Sequence, residues 1–159
     1  MSARHPIIAV TGSSGAGTTT VSQTFEQIFW RENVSAVFVE GDSFHRFTRA
    51  EMIRQTAAAD RDGRPAPTHF GPEGNDFEGI EALFKGYAES GRGQFCHYIH
   101  DEVEAAKFGG EIGGFSAFEE IPEGTDLLLY EGLHGAVQTE TVDAAKYPDL
   151  LIGVVPIIN

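Results

Sequence analysis

The residues with the clearest chemical potential form one short run, Gly12-Ser13-Ser14-Gly15-Ala16-Gly17-Thr18-Thr19. It meets the phosphate-loop pattern G-x-x-x-x-G-K-[ST] at every fixed position except the lysine, where Thr18 stands. Glycines in such a loop let the backbone wrap closely around phosphate oxygens. Exposed N–H groups and the positive end of the following helix then hold the anion. Thr19 occupies the position whose hydroxyl would ligate Mg²⁺, and Thr20 is counted with residues 12–19 as nucleotide-binding. Thr18 donates a hydrogen bond but carries no charge, so another cation must face the β- and γ-phosphates. Without its surroundings, the same run would read as a ligand-free glycine turn.

Two carboxylates complete the chemistry. Glu40-Gly41-Asp42-Ser43-Phe44-His45-Arg46 and Glu131-Gly132-Leu133-His134-Gly135 each follow an apolar run. In an open parallel sheet, ligands bind beyond the carboxyl ends of the strands. Asp42 and Glu131 are therefore expected to face the terminal phosphate of a nucleotide from two sides. One would accept a proton from an attacking hydroxyl while the other holds Mg²⁺, as phosphoryl transfer to an alcohol requires. Taken alone, Asp42 equally suits a turn and Glu131 a cap or an ion pair. Arg49 is spaced to hold a second anionic group on the acceptor, whereas Arg46 reads as a solvated surface side chain. His100 and His134 are weaker candidates for sugar contacts. Glu40 and Asp101 read as structural, and Cys96 as a buried or edge-strand thiol.

These groups need a frame. Residues 6–10 read as a buried strand entering the loop, residues 19–31 as an amphipathic helix carrying Val21, Phe25, Ile28 and Phe29, and residues 36–40 as a second buried strand. Strand, glycine loop, helix and strand make a βαβ unit, hence a parallel sheet covered by helices. The fold class expected is α/β, a phosphate-loop parallel sheet with helices on both faces. Further along, helices are expected over 49–60 and 76–90. The second of these is capped by Asp76 and lined by Phe77, Ile80, Leu83, Phe84 and Tyr87. An edge strand is expected at 95–100, a buried strand at 126–131, a short helix at 139–147 and a last buried strand at 150–156.

Composition narrows the function classes. The 159 residues, 41% hydrophobic and 22% charged, fit one globular domain. No apolar run approaches the roughly 20 residues of a membrane-spanning helix, and no membrane partner is expected. The single cysteine fits a reducing, cytoplasmic setting. Residues 1–64 hold seven of the 11 Lys and Arg and seven of the 24 Asp and Glu. The whole net charge of −13 therefore lies in the remaining residues, and a nucleic-acid partner is not expected.

Residues 7–21, 40–47, 100–101, 130–137 and 152–156 closely resemble the bacterial phosphoribulokinase family. The string Tyr130-Glu131-Gly132-Leu133-His134-Gly135-Ala136-Val137 is highly specific, and the lysine-less loop is a habit of that bacterial group. The resemblance implies transfer of the γ-phosphate of ATP to the C1 hydroxyl of ribulose 5-phosphate, with Mg²⁺. It implies Asp42 as catalytic base and Glu131 as the acidic group of the Mg-ATP site. It further implies His45, Arg49 and His100 as sugar-phosphate ligands, Arg31 as a residue tied to an NADH effector, and a homo-oligomer at full length. Family members are longer than 159 residues, so the chain is expected to be an N-terminal portion with little or no turnover. The other readings are a uridine- or pantothenate-type kinase and a nucleotide-binding module without catalysis.

Overall fold

The computed structural model describes residues 4–13 and 15–156. Ser14 of the phosphate loop falls outside them. The elements run β1 (Ile7–Gly12), α1 (Thr18–Glu32), β2 (Ala36–Glu40), a 3-10 turn (Gly41–Phe44), α2 (Arg49–Asp62), α3 (Phe77–Ser90), β3 (Gln94–Phe95), α4 (Glu102–Phe108), β4 (Glu119–Glu120), β5 (Leu127–Glu131), a second 3-10 turn (Ala144–Lys146) and β6 (Leu150–Val154). The chain separates into two compact units. One comprises Met1–Gly41, Phe77–Phe95 and Glu120–Asn159; the other comprises Asp42–Asp76 and Cys96–Glu119.

The first unit is built on a four-stranded sheet in the order β2-β5-β1-β6, with every pairing parallel. Strand alternation sends successive residues of β5 to opposite faces. Leu127 and Leu129 pack with Phe29 of α1, and Ile8, Phe25, Val34, Ala36 and Phe38 close around them. On the other face the Tyr130 ring meets Phe84 of α3 edge-on at 5.3 Å. Helices therefore cover both faces, as expected. All five residues assigned to the apolar face of α3 are buried.

Three expectations are corrected. First, among the described residues β6 pairs with β1 alone, and neighbouring Leu150 and Leu151 are 45% and 44% exposed. An apolar run does not distinguish the border of a sheet from its centre. Second, no α-helix forms over 139–147. Thr139 Oγ1 accepts hydrogen bonds from the N–H groups of Thr141 and Val142, and only Ala144–Lys146 coils, as a 3-10 turn. Local hydroxyl-to-backbone bonds of this kind compete with helix formation. Third, residues 95–100 form no continuous strand. Gln94–Phe95 is a two-residue strand, and Tyr98 makes an isolated bridge with Phe115. Ile28 and Trp30 of α1 are exposed, Trp30 at 81%.

In the second unit, α2 starts at a complete capping box. Thr48 accepts from the Glu51 N–H, and the Glu51 carboxylate accepts from the Thr48 N–H. Residues 44–46 run beside 74–76: Asp76 N–H donates to Phe44 O at 2.7 Å and Arg46 N–H to Gly74 O at 2.9 Å. The Arg46 side chain then donates to the carbonyls of Pro72 and Asn75 and pairs with Asp76. Arg46 is thus a clamp on the 72–76 loop, not merely a solvated arginine. Asp101 caps α4 by accepting from Val103 and Glu104, in keeping with its structural reading.

Candidate active site

One group of candidate residues belongs to the first unit. The chain leaves β1 toward the β2 border of the sheet and leaves β5 toward the β6 border, so the strand order reverses between these two neighbours. Open α/β sheets bind ligands in the crevice at such a point. Gly12 and Glu131 stand at the carboxyl ends of these adjacent strands, with Val10 and Glu131 in register. The ends are tied together, since Gly132 N–H donates to Val10 O at 3.0 Å and Thr11 Oγ1–H to Leu133 O at 2.7 Å.

The described residues of the loop between β1 and α1 have backbone suited to an anion. Gly15 and Gly17 have φ of 79° and 98°, in the left-handed region. Gly17 is the N-cap of α1, and among the described residues no side chain caps the helix there. The first amides of α1, from Thr18 to Thr20, are therefore free of side-chain caps, which suits a phosphate group. Ala16 N–H donates to Ser13 O at 3.0 Å and closes the turn. Gly12 is required for a different reason. A β-carbon there would stand 2.5 Å from the carbonyl oxygen of Val154, so only glycine lets β1 and β6 approach as they do. Among the described residues no three His, Cys, Asp or Glu side chains group closely enough to hold a metal by themselves. A divalent ion at Thr19 and Glu131 would draw its remaining ligands from phosphate oxygens and water.

A second group of candidate residues belongs to the second unit. The 3-10 turn after β2 carries His45 N–H onto Asp42 O, and residues three apart in such a turn lie one above the other. His45 Nε2 consequently lies 3.4 Å from Asp42 Oδ1, and His100 Nε2 approaches Oδ2 of the same carboxylate at 3.5 Å. Tyr98 is buried and packs edge-on against both imidazoles, with ring centroids 5.6 Å from His45 and 5.0 Å from His100. The hydrogen bond from His45 lowers the pKa of Asp42 against the opposing effect of burial. Burial alone would pull His45 down, but its hydrogen bonds to Asp42 and Asn75 outweigh that and raise it. The pair is therefore favoured as carboxylate and imidazolium.

Asp42, expected as a base, and His45 and His100, expected as sugar ligands, lie together in the structure. Arg49 lies at the start of α2, exposed, with its side chain beside Gly113. His134 is buried against the Phe77 ring at 4.8 Å. Arg31 is exposed in the last turn of α1, where a cation suits the helix dipole. Cys96 is buried, and burial raises its thiol pKa. Sequence reasoning missed Tyr98, His69 and Asn75. Asn75, between Gly74 and Asp76, carried no assignment from the sequence.

The family described as Phosphoribulokinase / Uridine kinase family matches residues 7–159. The chromosomal phosphoribulokinase of Cupriavidus necator is 58% identical over the whole chain, which covers 54% of that protein. A phosphoribulokinase of Rhizobium meliloti is 55% identical over the whole chain and is covered to 54%. The solved phosphoribulokinase from Rhodobacter spheroides superimposes with a TM-score of 0.85 at 44% identity, over 97% of this chain and 52% of that one. The chain thus spans about half the length of the curated relatives it matches.

Proposed function

The chain belongs to the phosphoribulokinase/uridine kinase family, and on that premise we propose that it is the nucleotide-binding and base-bearing portion of an ATP-dependent phosphoribulokinase. The observation that carries this reading is 58% identity over all 159 residues to a protein named phosphoribulokinase. The substrate is then ribulose 5-phosphate. Its C1 oxygen bonds to the γ-phosphorus of ATP, the bond from that phosphorus to the β,γ-bridging oxygen breaks, and ADP leaves with the bonding pair. The C1 hydroxyl proton passes to Asp42.

Each residue type suits its part. The amides of residues 15–20 and the start of α1 hold the phosphates. His45 lowers the pKa of Asp42 and so favours its carboxylate form, the form that orients and accepts the hydroxyl proton. His45, as a cation, and Arg49 supply charge for the 5-phosphate of the sugar, and His100 supports the same carboxylate. Thr19 and Glu131 would hold Mg²⁺, which would supply charge neutralisation at the phosphates. Arg31 is assigned to the response to an NADH effector. The setting is the cytoplasm.

The test is an ADP-release assay with ribulose 5-phosphate, uridine and pantothenate as competing acceptors. It is run on the chain and on its intact-length reading frame, with Asp42→Asn alongside. Turnover confined to ribulose 5-phosphate and abolished by Asp42→Asn is expected. Equal or better turnover of uridine would defeat the reading.

A further inference from the structure

Asn75 is completely buried, yet it is a polar side chain. Its Nδ2 donates to two backbone carbonyls, those of His69 and Gly71, each at 2.9 Å. Both amide hydrogens are therefore spent, and the side-chain orientation is settled: Oδ1 is the acceptor end. That oxygen lies 2.9 Å from His45 Nδ1. An amide oxygen only accepts, so the hydrogen between them belongs to the histidine. A neutral ring with hydrogen on Nδ1 would turn the bare lone pair of Nε2 toward the Asp42 carboxylate at 3.4 Å. Two acceptors would then face each other. A second proton on Nε2 removes the conflict.

We propose that Asn75 is a positioning residue for the acceptor site: its buried carboxamide fixes hydrogen on His45 Nδ1 and so presents Nε2 toward Asp42 as a donor. The device is built from long-range pairing. His45 and Asn75 form an antiparallel bridge, and the Arg46 guanidinium holds the Asn75 carbonyl at 2.8 Å. The groups facing His45 are Asp42, Asn75, the His69 ring at 4.8 Å and the Tyr98 ring, with His100 acting on the far oxygen of Asp42. His69 is itself depressed, by burial first and by His45 second, so it leaves the positive charge on His45. The role in sugar-phosphate recognition rests on the function proposed above; the protonation assignment does not.

Nitrogen-15 NMR of the histidine rings tests the assignment without turnover. In the wild-type chain at neutral pH, both His45 ring nitrogens are expected to carry hydrogen. In Asn75→Ala the titration midpoint of His45 should move down. Asn75→Asp, which keeps an acceptor oxygen, should retain the high midpoint. Calorimetric affinity for ribulose 5-phosphate should weaken about tenfold in Asn75→Ala, the loss expected for one charge-assisted hydrogen bond, and recover in Asn75→Asp. A wild-type His45 that is neutral with hydrogen on Nε2, or a folded Asn75→Ala whose His45 titrates unchanged, would overturn the proposal. If Asn75→Ala fails to fold, the wild-type and Asn75→Asp spectra decide. Normal spectra with no sugar binding in any form would instead remove the proposed function and leave the protonation assignment standing.

Discussion

The Cα atoms of Gly41 and Gly132 face each other so closely that a β-carbon on Gly132 would lie 2.8 Å from the Cα of Gly41. One on Gly41 would lie 2.6 Å from the Tyr130 hydroxyl oxygen. Each glycine follows a glutamate, and those glutamates, Glu40 and Glu131, are register partners on β2 and β5. The repeated Glu-Gly is thus a packing device at the carboxyl ends of two adjacent strands. Gly132→Ala should destabilise the fold by about 1–3 kcal/mol, the usual cost of overpacking. Urea unfolding followed by circular dichroism measures it, and an unchanged midpoint would contradict the close approach.

The phosphate loop makes a prediction through charge. Thr18→Lys supplies the cation that the loop pattern normally carries. It should tighten ATP binding about tenfold, a share of the ~1.5–3 kcal/mol typical of hydrogen bonds to charged groups, and make that binding more salt-sensitive. Titration calorimetry at two ionic strengths reads both effects. Gly17→Ala should act in the opposite direction, because φ of 98° is strained for any residue with a β-carbon.

The cap of α2 yields a stability prediction independent of function. Thr48→Ala removes the hydroxyl that accepts from Glu51 N–H and donates to its carboxylate. The expected loss is about 1 kcal/mol. Thr48→Ser should keep most of the stability. Thermal unfolding of the three proteins side by side is sufficient.

The Asp42–His45 pair gives stability a signed pH dependence. The carboxylate is depressed, so its contribution is present above its unfolded pKa and fades as pH falls through the folded one. The imidazole is raised, so its contribution is complete below its unfolded pKa and fades as pH rises through the folded one. The stability gap between wild type and His45→Gln should therefore be widest in mildly acidic solution and shrink on both the strongly acid and the alkaline side. A gap that widens with alkalinity would contradict the pairing.

Local signals were readable before the fold. The glycine loop, β2 and the whole apolar face of α3 follow from spacing alone, because turn glycines and helical periodicity act over a few residues. Residues 139–147 misled because Val142 and Ala144 are apolar and buried, yet Thr139 draws the nearby amides to its own hydroxyl. The α4 helix was signalled by Asp101 with Glu104 three residues on, a start signal overshadowed by the glycines that follow. Asp42 and His45 were legible as neighbours, since one turn separates them. Their regulator was not: Asn75 lies 30 positions from His45, and only the pairing of 44–46 with 74–76 brings it there.

Trp30 is the sole tryptophan, and it stands almost fully in water on the outer side of α1. Its emission in the native protein is therefore already that of a solvated indole, and unfolding will scarcely alter its colour. Spectroscopists following this chain should look to Tyr87 and Tyr130, both sealed from solvent, whose near-ultraviolet dichroism will vanish when the packing around α3 dissolves.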